Sequence, residues 1–160
     1  MKPYIYQINK KPKTKKEVGL PKIKIKKADI LTTGIDGDYN RFRKNKKNDD
    51  PDMALMILSL DIINDLNDEG WPVKPGDLGE NLTLENVDYK TLKPGQKYTI
   101  GTAKIEISFI CDPCSNLKVL PYVGIEKISH FIKTLMKRRG WYARVLEPGK
   151  ISEKDNLISI

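Results

Sequence analysis

The sequence of 160 residues is poor in the side chains that most often announce a chemistry. It has one histidine, His130, and two cysteines, Cys111 and Cys114. That is too little for a histidine-based metal site or for the disulfide framework of a small secreted domain. Two tryptophans and three phenylalanines offer little material for a base-stacking platform. Long apolar runs are missing too. Residues 53–58 form the longest, far short of a membrane span, and nothing after Met1 reads as a secretory signal. The expectation is a cytoplasmic protein with no membrane partner. There is no internal repeat.

Positive charge, by contrast, is plentiful. Lysine and arginine number 29 against 21 acids, a formal net charge of +8. Residues 1–47 hold 15 of those basic residues and only 4 acids, so the first third carries +11 and the remainder −3. Such a block attracts the phosphates of a cofactor, a nucleic acid or a membrane, or it simply solvates a surface. The alternation Lys22-Ile23-Lys24-Ile25-Lys26 favours solvation, because a period of two sends lysines to solvent and isoleucines to the core. Nucleic acid is therefore a disfavoured partner.

Hydrophobic residues at 39% and charged residues at 31% fit one globular domain over residues 1–160, with 1–29 as basic N-terminal strands inside it. Short strands dominate: 4–8, 22–26, 53–58, 81–84, 97–100, 102–110, 141–146 and 157–160, with turns at Gly101 and Pro148-Gly149. Residues 39–52 read as a polar loop. Ser59 caps one helix, which buries Ile62, Ile63 and Leu66 and stops at Gly70. A second helix is expected over 125–138, with Ile125, Ile128, Phe131, Ile132 and Leu135 at helical spacing. Lys133, Lys137, Arg138 and Arg139 would crowd its C-terminal end, where cations suit the dipole. This pattern predicts an α+β, mostly β domain of barrel-like form with a few short helices.

Two stretches concentrate the polar chemistry. Pro75-Gly76-Asp77-Leu78-Gly79-Glu80-Asn81-Leu82-Thr83 packs an acid pair, an amide and a hydroxyl between turns and a strand; such groups either satisfy one another or face a ligand. Cys111-Asp112-Pro113-Cys114 has several readings. Half a zinc site would need two more ligands, and His130 falls on the polar side of the second helix. A thioredoxin-like pair would open a helix, which Ser115-Asn116-Leu117-Lys118 does not suggest. A single reactive thiolate at a strand end and a pair of inert packed thiols both remain.

Five segments, in order, resemble the molybdenum-cofactor-sulfurase C-terminal (MOSC) domain family. Gly34-Ile35-Asp36-Gly37-Asp38 is similar to its "G-x-x-G-D" opening, and Pro75 through Thr83 to its "P-G-x-x-G-E-N-L-T" centre. Gly95 with Ile100-Gly101 resembles the hairpin that follows, Pro113-Cys114 its "P-C" cysteine, and Gly140-Trp141-Tyr142-Ala143-Arg144-Val145-Leu146 its closing "G-W-Y-A-R-V-L". The resemblance implies a closed, mostly β structure and a role in molybdenum-cofactor (molybdopterin) chemistry. The family's cysteine carries a persulfide or ligates molybdenum. It makes Cys114 the candidate catalytic thiol and metal ligand, with Cys111 as a resolving partner. Arg41, Arg43 and Arg139 become candidates for anionic cofactor groups, and Glu80 and Asn81 for ordering the site. Implied partners are a cysteine desulfurase, which would own the pyridoxal phosphate, or molybdenum-cofactor biosynthesis proteins; a monomer or homodimer is expected. An enzyme variant of the family reduces N-hydroxylated compounds. The chain departs from the family pattern twice. Residues 41–47 stand where many members have His-Gly-Gly, and Cys111 stands where many have Arg. The alternative reading is a non-enzymatic basic module that docks on nucleic acid or a cofactor-assembly protein.

Overall fold

The computed structural model describes residues 1–14, 16, 18–39 and 48–160. Its central strand explains the rest. In β5 (Leu55–Ser59) all five residues are buried, the signature of a strand covered on both faces. Successive side chains point to opposite sides. Leu55 and Ile57 enter one apolar cluster, Leu58 enters a second, and Met56 joins a small third cluster with Met53, Cys111 and Tyr142. Ser59 then turns the chain. Its hydroxyl accepts from the Asp61 amide at 3.2 Å and donates to the Val87 carbonyl at 2.8 Å, opening α1 (Leu60–Asp68). As expected, Ile62, Ile63 and Leu66 form that helix's buried face. The helix crosses over to β6 (Leu82–Glu85), which runs parallel to β5 with Ile57 opposite Leu82.

The other strands are β1 (Tyr4–Lys10), β2 (Ile23–Ile25), β3 (Lys27–Leu31), β4 (Gly34–Ile35), β7 (Lys97–Ile100), β8 (Ala103–Ile110), β9 (Trp141–Glu147), β10 (Gly149–Ser152) and β11 (Leu157–Ser159). Eight form one sheet in the order β11-β7-β8-β9-β5-β6-β1-β2; three form a second in the order β10-β3-β4. The first cluster, which includes Ile5, Ile30, Ile57, Leu82, Ile105 and Ile151, draws on both sheets. The second lies under α1 and α2 (Gly124–Leu135), centred on Leu66, Leu117 and Phe131.

Several expectations need correction. The domain is α+β and mostly sheet, but the sheets do not close into a barrel. Where β1 nears the segment entering β11, the contact is one isolated bridge, Tyr4 to Asn156, with three backbone hydrogen bonds at 2.9 Å: Ile5 N to Asp155 O, Lys154 N to Ile5 O and Leu157 N to Pro3 O. The turn at 153–156 fills the place of a ladder. Lys22 is not on a solvent face: it precedes the three-residue edge strand β2, its amide donates to Gly76 O at 2.9 Å, and its side chain is buried. Ile23, expected inside, is 58% exposed at the first position of the edge strand β2. The second helix ends at Leu135, and Ile125 on it is exposed. Lys137 adopts a φ of 63°, which turns the chain inward, so Arg139 leaves the helix end and is buried. Gly149, expected in a Pro148-Gly149 turn, opens the strand β10. Among the described residues, no helix is long and apolar enough to cross a membrane.

Candidate functional site

The sulfur-bearing segment begins where β8 ends. Cys111 N donates to Gly140 O at 2.8 Å, so the start of β9 holds the cysteine loop in place. Gly140 must be glycine: its φ is 109°, and a Cβ there would stand 2.3 Å from the Ile57 carbonyl oxygen. Cys111 is fully buried, its Sγ 3.9 Å from Met56 Sδ. Burial pushes its thiol pKa up, with Arg139 and Tyr142 acting in the opposite direction. Cys114 is half-buried and precedes a five-residue 3-10 helix, Ser115–Val119. That turn, a helical segment the sequence did not suggest, receives no side-chain cap from Cys114.

Arg139 organises the pocket. It is 7% exposed, and its guanidinium donates to Leu78 O at 3.0 and 3.2 Å, to Asp112 O at 3.1 Å and to Cys114 Sγ at 3.3 Å. It thereby ties the 75–83 stretch to the cysteine loop. Among the described residues no carboxylate pairs with it. Burial opposes its charge, but the neighbouring sulfurs of Cys111 and Cys114 favour it, and its pKa lies above the usual arginine value. Gly79, at φ 90°, lets the backbone pass: a Cβ would meet Leu20 at 2.8 Å and Arg139 at 3.6 Å. Cys114 and Arg139 line a cavity of about 40 Å³ with Met56, Tyr39, Asn116 and Tyr142.

A second polar cluster sits beside it. Lys22 Nζ contacts Asp38 Oδ1 at 2.8 Å and Oδ2 at 3.0 Å, and each side chain is 2% exposed. Asp38 Oδ2 also accepts from Asn81 Nδ2 at 2.9 Å, and Asp38 Oδ1 from Lys11 N at 3.0 Å. Asn81 bridges further: its Oδ1 accepts from Met56 N at 3.0 Å, and its own amide donates to Met56 O at 2.8 Å. Glu80 is fully buried. Its Oε1 accepts from Gly76 N at 2.6 Å and Thr83 Oγ1 at 3.0 Å, while its Oε2 has no partner. Desolvation raises its carboxyl pKa to about 7, against the opposing hydrogen bonds from Gly76 and Thr83.

The structure thus brings Cys114, Cys111 and Arg139 together and sets Glu80 and Asn81 in the adjoining network. Arg41 and Arg43 lie outside the described residues; the chain enters that segment from Tyr39, which lines the cavity. The sequence reading did not assign Asp38, Lys22, Met56 or Tyr142 to the site. Asp38 and Tyr142 fall in stretches already singled out, so a signal for them existed. For Lys22 and Met56 there was none. His130 is exposed and packs on Trp71, with ring centroids 5.5 Å apart. Among the described residues no group of three or more His, Cys, Asp or Glu could hold a metal ion.

The family model for the MOSC domain matches residues 37–158. The chain belongs to the MOSC domain family. That family is associated with molybdenum-cofactor binding. Crystal structures share the fold. YiiM from Geobacillus stearothermophilus is 22% identical with a TM-score of 0.74, covering 99% of this chain and 75% of its own. YuaD from Bacillus subtilis is 20% identical with a TM-score of 0.78, covering 98% and 94%. YiiM from Escherichia coli is 22% identical with a TM-score of 0.66, covering 100% and 70%. No curated protein matches the sequence. In this MOSC domain the donor set suits the thiophilic end of the cofactor: a soft sulfur beside a buried guanidinium that has no carboxylate partner. A cavity of about 40 Å³ has room for an atom or two at Cys114, so the described residues do not enclose a pterin.

Proposed function

We propose that this MOSC domain engages the molybdenum cofactor at its sulfur-bearing end, with Cys114 as the atom that bonds to it and Arg139 as the fixed positive charge behind that bond. The observation that supports this reading is the buried Arg139 guanidinium, which touches Cys114 Sγ at 3.3 Å and has no carboxylate partner among the described residues. A buried cation is stable when an anion completes its site, and here the position left for negative charge is at the sulfur. When bound, the cofactor supplies oxygen- or sulfur-transfer chemistry at molybdenum. The protein's part is to hold and orient the sulfur, to keep water from the inner wall formed by Met56 and Tyr142, and to balance charge.

In the sulfur-carrier form of this proposal, Cys114 accepts a sulfane sulfur from a cysteine desulfurase, whose pyridoxal phosphate stays with that partner. Arg41 and Arg43 contribute to an anionic group of the cofactor, since guanidinium forks suit phosphate. The basic-module alternative gains little from the surface cleft around Lys10, Lys27 and Lys150. Asp29 and Asp36 share that cleft, and Lys150 Nζ stands 2.9 Å from Asp29.

The test is metal and pterin analysis of protein made in a host that synthesises the cofactor. The expected result is molybdenum and pterin in stoichiometric amount with the parent and neither with Cys114→Ser, while Cys111→Ser retains both. Equal loading of parent and Cys114→Ser would overturn the assignment.

A further inference from the structure

A second recess opens between the end of α1 and the start of α2. It is a cleft of about 620 Å³, within the size range of small-molecule sites. Pro21, Pro72, Leu120, Pro121 and Tyr122 give it mostly apolar walls. Those walls are fixed from behind. Asn67 Nδ2 donates to Trp71 O at 3.0 Å and to Val73 O at 2.9 Å, and the proline rings add stiffness of their own. The cleft shares two stretches of chain with the cavity at Cys114. Leu20 and Lys22 line that cavity while Pro21 lines the cleft, and Gly79 lines that cavity while Asp77 lines the cleft.

Asp77 gives the cleft its chemistry. The residue is 7% exposed, and its Oδ2 accepts from the Tyr122 hydroxyl at 2.9 Å and from Lys74 N at 3.0 Å. Among the described residues no hydrogen bond reaches Oδ1 and no cation pairs with the carboxylate, yet Oδ1 is not sealed from solvent. A carboxylate so far buried gains most from a cation that brings N–H donors. We propose that this cleft binds a small organic ammonium ion with an apolar, ring-bearing body. The ammonium donates to Asp77 Oδ1, and the ring lies against the prolines, Leu120 and Tyr122. Charge selects the ligand: a neutral donor leaves the carboxylate without a counter-ion, and an anion is repelled by it. Among the lining residues Lys74 alone is basic, and its side chain is exposed and makes no ion pair, so its charge stays in water, where it is screened. The site goes beyond the cofactor reading and does not depend on it, because it uses neither Cys114 nor Arg139.

The experiment is a calorimetric titration of the full chain with phenethylamine at neutral pH, where its amine is protonated. Phenethyl alcohol serves as the neutral analogue and hydrocinnamate as the anionic one. The expected result is one amine per chain with a dissociation constant of about 1 mM or below, the alcohol weaker by about tenfold or more and the anion unbound. Asp77→Asn keeps a side-chain oxygen for Tyr122 and for Lys74 N but removes the charge. It should weaken the amine by about tenfold or more and bring it level with the alcohol. Lys74→Ala should bind the amine at least as tightly as the parent. Equal affinity for amine and alcohol in the parent, no amine binding at about 10 mM, or parent-like amine affinity in Asp77→Asn would each overturn the proposal. If Asp77→Asn fails to fold, the comparison of amine with alcohol in the parent decides alone. None of these outcomes involves molybdenum loading, so the cofactor reading stands or falls separately.

Discussion

Lys22 and Arg139 are both buried cations, 6% and 7% exposed, on neighbouring walls of one cavity, yet their surroundings differ in kind. Lys22 is held by both oxygens of Asp38, and Asp38 in turn by Asn81, whose amide reaches the backbone of Met56. Arg139 is held by two backbone carbonyls and a sulfur, with no carboxylate among the described residues. A cation whose counter-charge is built in serves the architecture. One whose counter-charge is left to be supplied is, in the proposed function, the one that meets a ligand. The difference teaches that burial alone does not separate framework from site; the identity of the partner does.

The contrast can be broken most forcefully at Asp38. Asp38→Ala leaves Lys22 buried without its anion and should cost about 3–5 kcal/mol of stability, measured by denaturant unfolding. A loss below about 1 kcal/mol would mean that Lys22 escapes to solvent and that the pair is not framework.

Glu80 sharpens it through pH. Its carboxyl pKa is raised to about 7 in the folded protein, from 4.5, so the folded state holds the proton more tightly than the unfolded chain. Stability from this group is full below about pH 4.5 and is lost as pH rises through about 7, a fall of about 3 kcal/mol. Unfolding measured from pH 5 to 8 should show that decline, and Glu80→Gln should flatten it. A slope unchanged in the variant would place the titration elsewhere.

Asn81→Ala should cost about 1–3 kcal/mol, because it strips partners from Met56 N and Asp38 together. Changing the exposed Lys24 to Ala should leave the melting temperature within error of the parent. If both variants melted alike, the network around Asn81 would not be holding the site.

Much of this framework was legible in the sequence. The apolar run over 53–58, the Ser59 cap and the Ile62-Ile63-Leu66 stripe specify β5 and α1 by local rules alone, and the structure has them. The density of polar groups from Pro75 to Thr83 marked a region that must satisfy itself or face a ligand, and Glu80 and Asn81 are buried there. What could not be read depends on distant contacts. Lys137-Arg138-Arg139 looks like the solvated end of a helix. Only the positive φ at Lys137 turns Arg139 inward, while Arg138 goes to Glu69 at the surface. Lys22 sits in a run that alternates like a solvent face, and its pairing with Asp38 is set by the loop packing against Gly76. Met56 is one apolar residue among six in a row; its place beside Cys111 is fixed by the register of β5 against β9, with Met56 opposite Tyr142.

In the proposed function Arg139 is the cation that awaits a ligand, and Arg139→Met tests that role most directly. Loss of the donors to Leu78 and Asp112 is offset by removal of a buried charge, so the variant should lie within about 2 kcal/mol of the parent. Cofactor content, measured as molybdenum and pterin per folded chain from a cofactor-synthesising host, should drop about tenfold or more. A variant destabilised as severely as Asp38→Ala that still carries the parent's cofactor content would contradict the account and make Arg139 framework.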